Sequence, residues 1–184
     1  MIRLVTIFYI FCIFSACSER GVSSKISDNS TQTRNDSLST ILKKTFYETD
    51  TVLLIGHTGR LYKPPGQNDT LPPIPLLVIN GKLNTQIIKK QKLLAKGEID
   101  TLLAILSKPV SEDEGATNCV FDPHHSIVII KNGRISYMDM CLSCHQFDVS
   151  QNFPSLPYFD FAKWDNLDSF FTKIGVRYYQ YKNQ

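Results

Sequence analysis

The stretch "HHSIVIIKNGRISYMDM", residues 124–140, decides the fold. Two β-rich runs flank Asn132-Gly133, the pair favoured at the centre of a two-residue type I′ hairpin turn because both residues tolerate positive φ. So tight a turn fixes the register: Lys131 stands opposite Arg134, Val128 faces Tyr137, Ser126 faces Asp139 and His124 faces Cys141. The first run is apolar on both faces, with Val128 and Ile130 on one and Ile127 and Ile129 on the other. Such a strand belongs in the middle of a sheet covered on both sides.

The segments around the hairpin supply the rest of the domain. "DTVLLIGH" (50–57) and "PLLVING" (75–81) read as strands, each a short β-rich run closed by a turn signal. "KPPGQNDTLPPIP" (63–75) is a loop by its Pro and Gly content, and "NTQIIKKQKLLA" (84–95) suits strand and helix equally. In "GEIDTLLAILSKP" the residues Ile99, Leu102, Leu103 and Leu106 repeat at helical spacing, and Pro109 ends the run. In "FDFAKWDNLDSFFTKIG" Trp164, Leu167, Phe171 and Ile174 share one face, and Gly175 suits a helix C-terminus. The expected fold class is α+β: a small mixed or antiparallel sheet with a central 124–141 hairpin and two amphipathic helices, at about 98–108 and 161–174.

The N-terminus speaks about location. "MIRLVTIFYIFCIFSAC" has a basic start at Arg3, an apolar run over 4–14 that is short for a bilayer span, and small residues before Cys17. It reads as a signal peptide over 1–16 and resembles a lipobox, in which Cys17 becomes the lipid-bearing residue. Phe14 departs from the Leu usual there, and a plain signal peptide or short membrane anchor is the alternative. "SERGVSSKISDNSTQTRNDSLST" (18–40) has few large apolar residues, so 17–44 is expected to be a lipidated Cys followed by a flexible tether. A single α+β domain then spans 45–184. The implied location is the cell envelope, with the chain lipid-anchored to a bacterial membrane and the bilayer as its partner. With 184 residues and a formal net charge of +3 spread along the chain, the basic footprint of nucleic-acid binding is missing.

Chemistry concentrates in "CLSCH", Cys141 to His145. The hairpin register brings His124 and Cys141 together at its open end, Cys144 lies just beyond, and Cys119 shortly precedes the first strand. Of the five cysteines, Cys12 leaves with the signal peptide and Cys17 takes lipid, so three remain. An odd number fits poorly with a paired framework in an oxidising compartment. Cys119, Cys141, Cys144 and His124 would make a closed tetrahedral zinc site, with His125 and His145 as alternative ligands. Two alternatives remain. Cys141 and Cys144 could form a disulfide or a thiol redox pair, with Cys119 able to join either. Or the two cysteines could anchor a c-type haem, with His145 as its axial ligand.

No catalytic motif identifies an enzyme. "GHTGR" (56–60) lacks the spacing of a phosphate loop and reads as a turn, with His57 at the surface. The block "CVFDPHHSIVII…ISYMDMCLSC" resembles a pattern in uncharacterised exported bacterial lipoproteins: a Cys, then Pro and His opening a hairpin, then Cys-x-x-Cys closing it. The match rests on Cys119, Pro123, Cys141 and Cys144, with His124 or His125 as the His. The resemblance carries no activity with it. It implies that Cys119 belongs with the pair, which argues against an isolated haem motif.

Overall fold

The computed structural model describes residues 26–60, 71–110 and 119–179. In chain order the elements are α1 (Ile26–Tyr47), β1 (Thr51–His57), β2 (Val78–Ile79), β3 (Lys82–Leu83), β4 (Ile88–Leu93), α2 (Lys96–Leu106), β5 (His125–Lys131), β6 (Arg134–Cys141), β7 (Gln146–Val149) and α3 (Phe161–Ile174). The Asn132-Gly133 turn forms with φ of 50° and 73°, the left-handed pair that a type I′ turn demands. From it β5 and β6 pair antiparallel, with Lys131 opposite Arg134, Val128 opposite Tyr137 and Ser126 opposite Asp139.

An antiparallel sheet of five strands in the order β4-β1-β5-β6-β7 results, with β5 at its centre. The fold is therefore α+β. On one face Val52, Leu54, Ile127, Ile129, Met138 and Met140 pack with residues of all three helices, among them Leu102, Leu106, Trp164 and Phe171. Each such side chain contributes about 1.5–3 kcal/mol when fully removed from water. The opposite face carries a smaller cluster of Ile55, Leu77 and Val128, flanked by Val78, Leu83 and Ile88. Both faces of β5 are thus covered, as its doubly apolar sequence requires.

The two expected helices form as α2 and α3. In α2, Leu102, Leu103 and Leu106 are buried, and the Glu98 carboxylate accepts the Ala95 N–H at 2.8 Å. The α3 helix starts where the Asp160 carboxylate accepts the Lys163 N–H and stops at Gly175, with φ of 81°. Lys163 is buried, and its ammonium donates to the Leu106 and Lys108 carbonyls, satisfying the end of α2. Burial draws its pKa down to about 8.

Three expectations change and one open reading is resolved. The segment 17–44 was expected to be a tether, yet α1 occupies Ile26–Tyr47, and its last turns bury Leu42 and Phe46, with Leu38 packed against them. Three large apolar residues at four-residue intervals are enough to anchor the last turns of this otherwise mostly polar helix. The packed domain therefore starts before residue 45. "PLLVING" supplies only the short β2, which pairs with β3 across a second Asn-Gly turn at Asn80-Gly81. The ambiguous "NTQIIKKQKLLA" forms β4, an edge strand paired to β1, and its exposed Lys89, Lys90 and Lys92 blunt the edge against further pairing. Finally, the β5–β6 ladder ends at His125 opposite Met140. His124 donates its N–H to the Met140 carbonyl, while Cys141 pairs onward with Gln146 of β7.

The packing of α1 gives a test. Phe46 sits against the core and meets the Phe153 ring edge-on at 6.2 Å. Phe46→Ala is expected to lower the unfolding free energy by about 3 kcal/mol in chemical denaturation. A tether residue would change it by less than about 0.5 kcal/mol.

Candidate functional site

The residues of "CLSCH" form the connection between β6 and β7. Cys141 is the last residue of β6, Leu142 to His145 make the turn, and β7 begins at Gln146. The Cys144 N–H donates to the Cys141 carbonyl at 3.2 Å, and His145 takes a left-handed φ of 53° to bring the chain into β7. This turn sets the Cα atoms of Cys141 and Cys144 5.1 Å apart and places their sulfurs at disulfide distance. Cys119 is exposed and lies outside this pair. Its segment nevertheless docks on the turn: Gln146 Nε2 donates to the Cys119 carbonyl at 3.2 Å, and Cys144 Sγ lies 3.3 Å from the Val120 carbonyl oxygen.

The pair walls a cavity of about 430 Å³ whose lining includes His124, His125, Arg177 and Tyr178. Cys141 is 2 % exposed and Cys144 8 %. The C-terminal segment that follows α3 completes the cavity by running close over β1 and β5. Its Val176 carbonyl sits where a Cβ on Gly56 would have to go. Its Tyr178 N–H donates to His125 Nε2 at 2.9 Å.

The imidazoles are held by their own partners. His124 Nδ1 accepts the Gly59 N–H at 3.0 Å, and its Nε2 faces the Asp122 carboxylate at 3.3 Å. Burial lowers the His124 pKa, with the Asp122 charge opposing. His125 is 1 % exposed, meets Phe171 edge-on at 5.3 Å and has its pKa pushed down to about 2, chiefly by burial and then by the Arg177 charge. His145 turns towards α3 and stacks on Trp164 at 5.8 Å, outside the cavity lining.

Sequence reasoning placed His57 at the surface; it is 0 % exposed. Its Nε2 meets Asp139 Oδ1 at 2.9 Å, and Ser126 Oγ donates to the same oxygen at 2.7 Å. The carboxylate stands between Ser and His and the hydroxyl does not reach the imidazole, so this is not the Ser-His-Asp order of a hydrolase. The "GHTGR" turn clasps "DPHH" instead, with the Arg60 N–H donating to Asp122 at 2.6 Å beside the Gly59 contact. A side chain on Gly59 would strike Asp122 and His124. Two glycines flanking His-Thr were the available signal for so close an approach.

Of the four expected zinc ligands, the cavity lining includes His124, Cys141 and Cys144. Among the described residues, no group of three or more His, Cys, Asp or Glu side chains is arranged to hold a metal ion. A zinc-binding His124 would present one nitrogen to the metal and donate from the other to a carboxylate. Asp122 takes Nε2, and the Gly59 N–H already points at Nδ1. Cys17 and the signal segment lie outside the described residues, as does Cys12. No helix among the described residues is long and apolar enough to cross a membrane. Comparison with protein-family models, with curated proteins and with solved structures finds no match.

The depressed His125 pKa has a thermodynamic consequence. Between about pH 6.5 and pH 2 the unfolded chain binds a proton that the folded chain does not, so stability falls as pH falls through this window. Between pH 7 and 5, above the titration of ordinary carboxylates, this group is expected to remove about 2 kcal/mol. His125→Gln should flatten that slope in denaturation curves at the two pH values. An unchanged slope would assign it to other groups.

Proposed function

We propose that the protein is an exported, lipid-anchored domain whose Cys141–Cys144 pair takes part in thiol–disulfide exchange. One observation carries this reading: the paired sulfurs wall a cavity rather than pack wholly within the core, with Cys144 the more exposed of the two. A structural staple at this point would stabilise at the low end of the disulfide range. It closes a very short loop that the β6–β7 ladder already holds, worth about 2 kcal/mol by the chain-entropy relation.

The exchange step uses groups already at hand. An incoming thiolate attacks Cys144 Sγ, the Cys141–Cys144 bond breaks, and Cys141 leaves as a thiolate that later takes up a proton. Ser143 Oγ lies 3.6 Å from Cys141 Sγ, close enough for its hydroxyl to donate to the developing charge. The zinc reading is the competing account of the same residues and requires both thiols reduced and His124 released from Gly59 or Asp122.

The deciding measurement is alkylation and mass analysis of the full exported chain at neutral pH, before and after dithiothreitol. The expected result is a pair oxidised on isolation and reduced by the dithiol while far- and near-UV circular dichroism remain native. Reduction only after denaturant unfolds the chain would make the pair a staple. About one zinc per chain with all three thiols reduced would restore the tetrahedral site, and a Soret band that survives denaturation would make His145 a haem ligand.

Location is tested separately. Cys17→Ser is expected to move the protein from the membrane fraction to the soluble one. Retention in the membrane would identify residues 4–14 as an uncleaved anchor.

A further inference from the structure

The exposure of the three cysteines runs opposite to what direct exchange with a folded protein needs. Cys141 and Cys144 are 2 % and 8 % exposed at the wall of a cavity of about 430 Å³, ample for a small thiol. Cys119 is exposed, yet its segment is fastened to the turn that carries the pair. Gln146 holds the Cys119 carbonyl, and the next carbonyl along, that of Val120, touches Cys144 Sγ at 3.3 Å. Consecutive Cα atoms are about 3.8 Å apart, so the backbone that carries the Cys119 thiol lies one residue from that contact. Cys141 lies on the other side of the disulfide, its Sγ 3.6 Å from Ser143 Oγ.

We infer that Cys119 is a shuttle residue that carries the disulfide from the Cys141–Cys144 pair to the surface, where it oxidises a dithiol on another exported protein. This deepens the exchange reading and rests on it. In the first step the Cys119 thiolate attacks Cys144 Sγ, a Cys119–Cys144 bond forms, and Cys141 leaves as a thiolate. The proton lost by Cys119 is regained by Cys141, so this step is an isomerisation with no net oxidation. In the second, a thiolate of the partner attacks the exposed Cys119 Sγ and Cys144 leaves. The partner's other thiol then attacks its own sulfur in the mixed disulfide and releases Cys119. The partner dithiol has lost two electrons and two protons, and all three cysteines here end as thiols.

The shuttle separates two classes of reductant. Dithiothreitol reaches the pair through the cavity, whereas a protein dithiol must go through Cys119. The test uses the full chain from its oxidising compartment, with reduced, unfolded lysozyme as the dithiol probe. Cys119→Ser is expected to slow oxidation of lysozyme by at least about tenfold. Cys141→Ser, which removes the competing partner, is expected to trap an intramolecular Cys119–Cys144 disulfide in peptide maps, and Cys144→Ser to give no Cys119–Cys141 bond.

Two alkylatable thiols in Cys141→Ser, or unaltered lysozyme oxidation by Cys119→Ser, would overturn the shuttle. Should Cys141→Ser fail to fold, the wild-type protein decides. Mapped after exchange at mildly alkaline pH and acid quench, it should contain a fraction alkylated at Cys141 and bonded between Cys119 and Cys144. Label at Cys119 alone at every time point rejects the shuttle. The underlying exchange reading fails by a different sign, resistance of the folded wild-type pair to dithiothreitol.

Discussion

The register of β5 against β6 is the constraint on which the other features depend. Asn132 and Gly133, both left-handed, permit one tight connection, and from it follows which side chains meet the helices and which meet the opposite face. A slip by one residue would carry Ser126 and Asp139 into the helical core and expel Ile127 and Met138. In the observed register the carboxylate of Asp139 is met by Ser126 across the ladder and by His57 from β1, so a buried charge is bonded on arrival. Past Asp139 the same strand ends in Cys141, and the direction in which the Cys-x-x-Cys turn faces is inherited from the hairpin.

How far the sequence could be read follows from where each signal resides. The turn, the central strand, α2 and α3 depend on neighbours a few residues apart, so they were legible with their faces. The α1 helix was hidden because the 18–40 stretch is so polar that composition outweighed the Leu38, Leu42 and Phe46 stripe. β7 was hidden because Gln146 to Val149 is short, half-exposed and follows directly on the haem-like motif. His57 was misplaced for a different reason: its burial is decided by Asp139, 82 residues away in sequence.

The candidate site shows the same division. Counting thiols and extending the hairpin register was enough to gather Cys119, Cys141, Cys144 and His124 in one region. Their pairing depends on geometry that spacing does not contain. The Cys-x-x-Cys turn closes so that its own sulfurs meet, and His124 is occupied by a loop 65 residues upstream. Imidazoles that look like available ligands in a string of letters are, in the fold, acceptors for backbone N–H groups of Gly59 and Tyr178.

The strand order also bears on the sequence of events by which the chain organises itself. β5, β6 and β7 form a meander in which every pairing joins neighbours in the chain, whereas β1 must enter between β4 and β5. Its partners in β5 include Ile127 for Leu54 and Val128 for Leu53, more than seventy residues distant. Local pairings cost little loop entropy, and distant ones are reached only after the intervening chain is gathered in. The topology therefore favours a C-terminal meander that assembles first and receives β1 late, so the Cys141–Cys144 turn takes shape before His57 and Gly59 arrive to hold Asp139 and His124.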